Sequence, residues 1–237
     1  MFWLSYGGGV NSTALAILLC GGKLPQYEPW RILFADTGNE KDETYAYIEE
    51  HFKPYLAKYG WELEVCKPPE TVLERWERLS VTGSRMLRSC TVQGKIYPIA
   101  AHLAKHGDGL QLIGIDAGEE HRAKADPRKA YPLVDLGIDR TGCGEIIVAA
   151  GLPIPEKSGC WCCPYARVGE VLTLLRNHPC RADRIAALEE AATAKHGGHR
   201  TQFRDRTIAE WRERASQADL FIEDDFGSDM PCDCYDG

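Results

Sequence analysis

The sequence predicts an α/β protein built on a doubly wound parallel sheet, with a helical C-terminal extension. Three observations carry that expectation. Short apolar runs alternate with longer helix-patterned segments over the first two thirds of the chain, which is the signature of βαβ units. The first apolar run, residues 1–6, leads at once into three glycines and then a helix-patterned stretch. Beyond Gly151 the pattern turns helical throughout.

Each element has its own signal. Residues 1–6 form a short buried strand, and Gly7-Gly8-Gly9-Val10-Asn11 a loop. Ser12 and Thr13 open an apolar helix over residues 14–20, stopped by Gly21-Gly22. A second strand is predicted over 31–35, a long helix over 42–59 ending at Gly60, and a third strand over 62–66. Helices follow over 71–78 and 90–105, a fourth strand over 110–115, and a short extended piece over 131–134. The last third gives helices over 168–176, 182–196 and 207–217, and Thr207 with Glu210 has capping-box spacing. Two units are expected, an α/β domain over 1–165 and a helical extension with an acidic tail over 166–237. In a parallel sheet covered on both faces, ligands sit at the carboxyl ends of the strands. The loops after the first, second and fourth strands are therefore where a site belongs.

Composition narrows the class. No apolar run approaches the ~18 residues that span a bilayer, so no membrane partner is expected. No secretion signal is read at Met1-Phe2-Trp3-Leu4, where Gly7 soon interrupts the apolar stretch. Ten cysteines in such a chain point to metal or redox chemistry in a reducing cytoplasm rather than to a disulfide framework. The net charge of −7 belongs to the tail, where residues 219–237 hold seven acidic side chains and no Lys or Arg. The body is formally neutral, so global charge neither favours nor excludes a nucleic-acid partner.

The segment Ser5-Tyr6-Gly7-Gly8-Gly9-Val10-Asn11-Ser12-Thr13 lies between strand and helix. Glycines let the backbone approach a ligand and turn its N–H groups inward, and the helix N-terminus adds partial positive charge. Such a loop suits a pyrophosphate, though a plain Gly-rich turn with a serine cap has the same look. It is neither a Walker A loop nor a GxGxxG fingerprint.

The loop resembles the Ser-Gly-Gly-x-Asp-Ser motif of PP-loop ATP pyrophosphatases. Gly8, Gly9 and Ser12 match, while Gly7 replaces the motif's Ser and Asn11 its Asp. Asp36-Thr37-Gly38 with Glu43-Thr44 is similar to the second-strand segment of the phosphoadenosine phosphosulfate reductase-like branch. Arg88-Ser89-Cys90-Thr91 with Lys95 and Pro98, Gly114-Ile115-Asp116 with Glu119 and Arg122, Tyr131-Pro132-Leu133, and Lys157-Ser158-Gly159-Cys160-Trp161-Cys162-Cys163-Pro164 resemble further segments of that family. The resemblance covers roughly residues 4–165. It implies that Ser5, Gly7, Gly8, Gly9, Ser12, Thr13, Asp36, Thr37, Gly38 and Gly114 contact an adenine nucleotide. Asn11, Ser12, Lys95 and Arg122 take the catalytic positions, and Mg2+ balances phosphate charge. Lys95 and Arg122 suit phosphate or sulfate oxygens chemically.

Cys160 and Cys163 form a C-x-x-C pair that lets two thiolates reach one metal. A soft thiolate set selects zinc or an iron–sulfur cluster, and spacing does not separate them. The resemblance leans to a cluster and adds Cys90 and Cys143, with Cys162 the rival for the fourth position. Cys20, Cys66 and Cys180 are expected to be buried small hydrophobes. Cys232-Asp233-Cys234 matches no tail of the thiol-dependent reductases.

The expected function is binding of ATP and adenylation of a substrate with release of pyrophosphate, coupled to sulfur transfer at the cysteine site. The acceptor is left open between a nucleic acid and a small molecule, with a sulfur or electron donor as a further partner. One alternative is a thiol-dependent reductase of the sulfonucleotide itself, which needs no ATP cleavage. Another is a non-catalytic nucleotide- and nucleic-acid-binding module using His199, Arg200, Arg204 and Arg206, a basic run that a solvated helix face explains as well.

Overall fold

The computed structural model describes residues 1–216, so Cys232, Cys234 and the acidic tail lie outside the described residues. The chain begins β1 (Phe2–Tyr6), α1 (Val10–Cys20), β2 (Trp30–Ala35). Next, α2 (Asp42–Tyr47) runs through a π-helical turn (Ile48–Phe52) into α3 (Lys53–Lys58), and β3 (Leu63–Cys66) follows. After α4 (Val72–Leu79), α5 (Ser89–Thr91) leads through a second π-helical turn (Val92–Ile96) into α6 (Tyr97–His106). Then come β4 (Leu110–Ile113), a 3-10 segment (Ala117–Arg122), β5 (Lys129–Ala130), α7 (Pro132–Asp135) and α8 (Arg140–Ala149). The described chain closes with α9 (Val168–Asn177), α10 (Pro179–His196) and α11 (Ile208–Ser216).

The described strands form one sheet in the order β3-β2-β1-β4-β5, with every pair parallel. The doubly wound expectation holds. Alternation along the strands divides the core in two. Leu4, Tyr6, Ile32, Phe34 and Leu63 face the α1 side, where Ala14, Leu15 and Ile17 cover them. Trp3, Leu33, Ala35 and Cys66 face the other way, onto Ile99 and Leu103 of α6. Central β1 thus buries both faces, which is why large apolar and aromatic side chains fall on both of them and Ser5 is the one small polar residue among them.

A further core joins the C-terminal helices to the sheet domain. Val72, Leu73 and Trp76 of α4 pack with Cys162, with Val171 and Leu174 of α9, with Ile185 and Leu188 of α10, and with Trp211 of α11. The boundary expected at 165/166 passes through this core, because α4 and Cys162 belong to it. Glu189, buried on α10, accepts hydrogen bonds from the backbone N–H groups of Gln202 (2.8 Å) and Ile208 (2.7 Å) and so fixes the turn into α11. Burial holds its carboxyl above the usual range despite those donors.

Two elements depart from the sequence expectation. The extended piece at 131–134 is a helix, because Pro132 sits in its first turn, where a missing N–H costs nothing; the strand pairing falls just upstream, at Lys129 and Ala130. Helix α8 had no clear pattern, since Gly142 and Gly144 lower its propensity. Asp139 caps it by accepting from Gly142 N at 2.8 Å, and Cys143 and Ile147 bury it against the α1 side of the sheet.

Candidate functional site

Strand order reverses at β1, since its neighbours β2 and β4 lead to opposite edges. The crevice at the carboxyl ends of β1 and β4 is the place where such sheets bind ligands. It holds a cavity of about 130 Å3 walled by the glycine loop, the residues after β4, and the segment before the C-x-x-C pair.

The loop's shape follows from its residues. Gly8 has φ +71°, and a Cβ there would stand 2.7 Å from Thr44 Cγ2, so only glycine is accommodated. Ser12 Oγ accepts from Gly7 N at 3.3 Å and donates to Gly9 O at 3.1 Å. Thr13 donates to Gly9 O at 2.9 Å and meets the Tyr6 hydroxyl at 3.3 Å. Ser5, Gly7, Gly9, Asn11 and Ser12 line the cavity. Gly8 and Thr13 stand behind it. Thr13 is fully buried, so its side chain holds the loop, in contrast to the phosphate contact expected of it. Gly114 closes the far wall: a Cβ there would lie 2.8 Å from Ser12 N and 2.9 Å from Ser12 Cα.

Asn11, in the motif's Asp position, is not isolated from a carboxylate. Its Nδ2 donates to Asp116 Oδ2 at 2.8 Å, and its Oδ1 accepts from Arg140 Nη1 at 3.4 Å. Lys95, Arg122, Arg140 and Lys157 line the same cavity with a single carboxylate, Glu119. That carboxylate accepts from Arg122 at 2.6 Å. The lining is therefore cationic, as a polyanion requires. Burial pushes the Lys157 ammonium below its usual range, with Glu170 opposing.

The loop after β2 takes a structural part. Asp36 Oδ1 accepts from Gly38 N (2.8 Å) and from the Tyr45 hydroxyl (2.5 Å), and its Oδ2 pairs with Lys67 at 2.9 Å. Burial opposes ionisation, yet Tyr45, Gly38 N–H and Lys67 together hold the Asp36 carboxyl below its ordinary value. Asp36, Thr37 and Gly38 do not line the cavity. Thr37 Oγ1 instead donates to Glu40 Oε1 at 3.1 Å and lies 3.2 Å from Cys160 Sγ.

That contact brings the cysteines in. Glu40 and Cys160 form an antiparallel bridge, flanked by Lys41 N donating to Gly159 O (2.9 Å) and Trp161 N to Asn39 O (3.0 Å). Ser158, carried on this segment, packs on the loop, with its Oγ 3.0 Å from where a Gly9 Cβ would be. Lys95 emerges from the second π-helical turn, a feature common at functional sites, and its Nζ pairs with buried Glu40 Oε1 at 3.3 Å. Glu40 Oε2 is buried and has no hydrogen-bond partner among the described residues.

Cys90, Cys160 and Cys162 pack in or against the core that joins α4 to the C-terminal helices, and Cys163 is next in chain. Cys162 feels the charges of Cys163 and Cys90, and Cys160 that of Cys162. Burial raises the Cys160 and Cys162 thiols well above their usual value and Cys163 to about 11. Cys143 is elsewhere: it is fully buried in the α1-side core on α8, beside Asp116 and Arg140, and burial takes its thiol to about 12. Cys143 thus lies in a different core from Cys90, Cys160 and Cys162. Of the three cysteines expected as core hydrophobes, Cys66 is buried, Cys20 half-buried and Cys180 exposed. The basic run at 199–206 lies in the loop between α10 and α11, where His199 pairs with Glu210 at 3.0 Å, Arg206 lies over Trp211, and Arg200 donates to Gly197 O.

Sequence reasoning missed Glu40, Arg140, Lys157 and Ser158 as site residues and did not single out Asp116. Lys157 and Ser158 had a signal in their place just ahead of C-x-x-C. Arg140, brought in by α8, had none.

The phosphoadenosine phosphosulfate reductase domain matches residues 1–130, more than half of the chain. The chain belongs to that family. Among solved structures it is similar to phosphoadenylyl-sulfate reductase from Candida auris in its phosphate complex, at 16% identity over 68% of this chain and 81% of that one, with a TM-score of 0.49. It is also similar to the U34-tRNA thiolase NcsA from Methanococcus maripaludis with its [4Fe-4S] cluster, at 14% identity over 90% of this chain and 80% of that one, with a TM-score of 0.46. No curated protein matches the sequence significantly.

Proposed function

We propose that the protein binds ATP at the β1–β4 crevice and adenylates an acceptor with release of pyrophosphate, coupled to sulfur transfer at the neighbouring cysteines. The observation that carries the reading is the cationic cavity at the glycine loop, where Lys95, Arg122, Arg140 and Lys157 converge. Loop N–H groups and these cations would hold the phosphates and stabilise charge that develops on the leaving pyrophosphate. Asn11 and Asp116 provide the oxygen donors that Mg2+ prefers. The ion, when bound, screens phosphate charge and polarises the phosphorus being attacked. Asp36 and Thr37, on the loop after β2, would border the nucleoside.

Cys90, Cys160, Cys162 and Cys163 fit a metal group by donor chemistry, since thiolates select zinc or iron–sulfur. Three or four of them would hold it, next to Thr37 and Glu40. The acceptor, a nucleic acid or a small molecule, would approach over this segment.

Two observations favour a second reading, reduction of a sulfonucleotide. The family match itself is to that reductase domain, and Asn11 suits a ligand that needs no ATP cleavage. Pyrophosphate release from ATP, sulfite release from phosphoadenosine phosphosulfate, and turnover by Cys160→Ser and by the double variant Cys232→Ser, Cys234→Ser separate the two. The proposal expects pyrophosphate, and activity lost with Cys160 but kept in the tail variant. Sulfite release lost only in the tail variant would reverse the order.

A further inference from the structure

We propose that Glu64, His102 and His106 form a second metal site, for a zinc ion, at the end of the sheet away from the glycine loop. Glu64 pairs in register with Leu33 of β2, and its side chain reaches back to Arg31, which pairs with Trp3 toward the amino ends of β2 and β1 and also meets the His106 carbonyl. The glycine loop leaves the opposite, carboxyl end of β1. The site is thus separate from the nucleotide cavity and from the cysteines.

His102 and His106 stand four residues apart on α6, the spacing that puts two imidazoles on one helical face and lets both reach one zinc. Glu64 faces the same side of the sheet as Cys66, which packs under α6. One donor atom from each of the three residues lies within 4.8 Å of the other two. His102 Nε2 is 2.8 Å from Glu64 Oε2, and the two imidazoles stack at 4.3 Å. Donors around a tetrahedral zinc at 2.0–2.1 Å are about 3.4 Å apart, so rotation about side-chain torsions suffices to close the set. Two histidines and a carboxylate are borderline donors that suit zinc better than magnesium.

The surroundings hold these donors in place, as neighbours of metal ligands do. Arg31 Nε donates to Glu64 Oε1 at 2.5 Å, leaving Oε2 toward the histidines. The Trp3 ring meets His102 edge-on at 5.5 Å, and Arg31 lies over the Trp3 ring at 4.5 Å. The end of α6 is anchored twice, by Trp3 Nε1 donating to Gly107 O (2.9 Å) and Arg31 Nη1 to His106 O (3.3 Å). A bound ion would clamp α6 to the edge strand β3.

The test is zinc binding by the full-length protein with its cysteine site left as purified. The wild type is expected to bind one zinc equivalent more than His106→Ala in titration calorimetry, and zinc should raise its Tm. Co2+ at this site should give weak visible d–d bands without a sulfur-to-cobalt charge-transfer band, which marks it off from the thiols. His106 is exposed, so its truncation leaves the fold intact. Glu64→Gln keeps side-chain shape and should weaken zinc binding roughly tenfold or more, the loss seen when even supporting residues of a metal site are changed. Equal stoichiometry and affinity in wild type and both variants would overturn the proposal, as would a wild type whose zinc uptake is confined to sulfur ligands.

Discussion

The amide of Asn11 and the carboxylate of Asp116 are joined by a 2.8 Å hydrogen bond across the mouth of the crevice. The position where the family motif carries Asp therefore has a carboxylate one side chain away, delivered from the end of β4. Asp116→Asn should abolish the Mg2+ dependence of ATP-analogue binding. Affinity in saturating Mg2+ should fall to that measured with a chelator, a loss of roughly tenfold, or about 1.4 kcal/mol. Calorimetric titration with and without Mg2+ checks this, and an unchanged Mg2+ effect would remove Asp116 from the metal's surroundings.

Gly114→Ala tests the packing of β4 on the loop. The added Cβ would meet the backbone of Ser12 at 2.8–2.9 Å, and backbone cannot swing aside as a long side chain can. Overpacking of this kind costs about 1–3 kcal/mol. Denaturant unfolding should show that loss, accompanied by weaker nucleotide binding. Gly9→Val should remove nucleotide binding outright, because its side chain enters the space of Ser158 and of the phosphates. Full affinity in a folded Gly9→Val protein would defeat the assignment of the loop.

Iron and sulfide content should separate the cysteines. Anaerobically purified Cys143→Ala is expected to keep its metal, since Cys143 belongs to the α1-side core. Cys160→Ser should lose most of it. Metal analysis and the visible spectrum before and after dithionite provide the readout. Loss of iron in Cys143→Ala at native secondary structure would restore Cys143 to the ligand set.

Acid should loosen the contact between the helical part and the β2 loop. Glu170 on α9 pairs with Lys41, and its carboxylate accepts from Arg167 N at 2.8 Å. Although burial opposes it, the Arg167 N–H and Lys41 hold the Glu170 carboxyl below its ordinary value. A depressed carboxylate stabilises the fold fully above its unfolded pKa, and the benefit disappears as pH falls through the folded value. Glu170→Gln should lose about 1–3 kcal/mol at neutral pH, the usual worth of charged hydrogen bonds. Its stability should then vary less than the wild type's between pH 6 and 3. Parallel pH profiles for both proteins would count against the contact.

The sequence by itself determined the alternation of strands and helices, the glycine loop and the C-x-x-C pair, because each is local. A short, largely apolar run such as 2–6 reads as a strand buried on both faces, and only glycine adopts Gly8's backbone against Thr44. What tertiary structure decided is which distant residues meet. Cys143 was the expected fourth ligand with Cys162 its rival, and the fold buries Cys143 on α8 in one core and Cys162 with Cys90 at another. Thr13 looked like a phosphate ligand until Tyr6 was found at its hydroxyl. Arg140 reaches Asn11 over 129 residues, and Glu64 reaches His102 over 38. Hydrophobic periodicity fixes which face of an element is buried. The partners meeting at its polar positions depend on chain crossovers that no local pattern encodes.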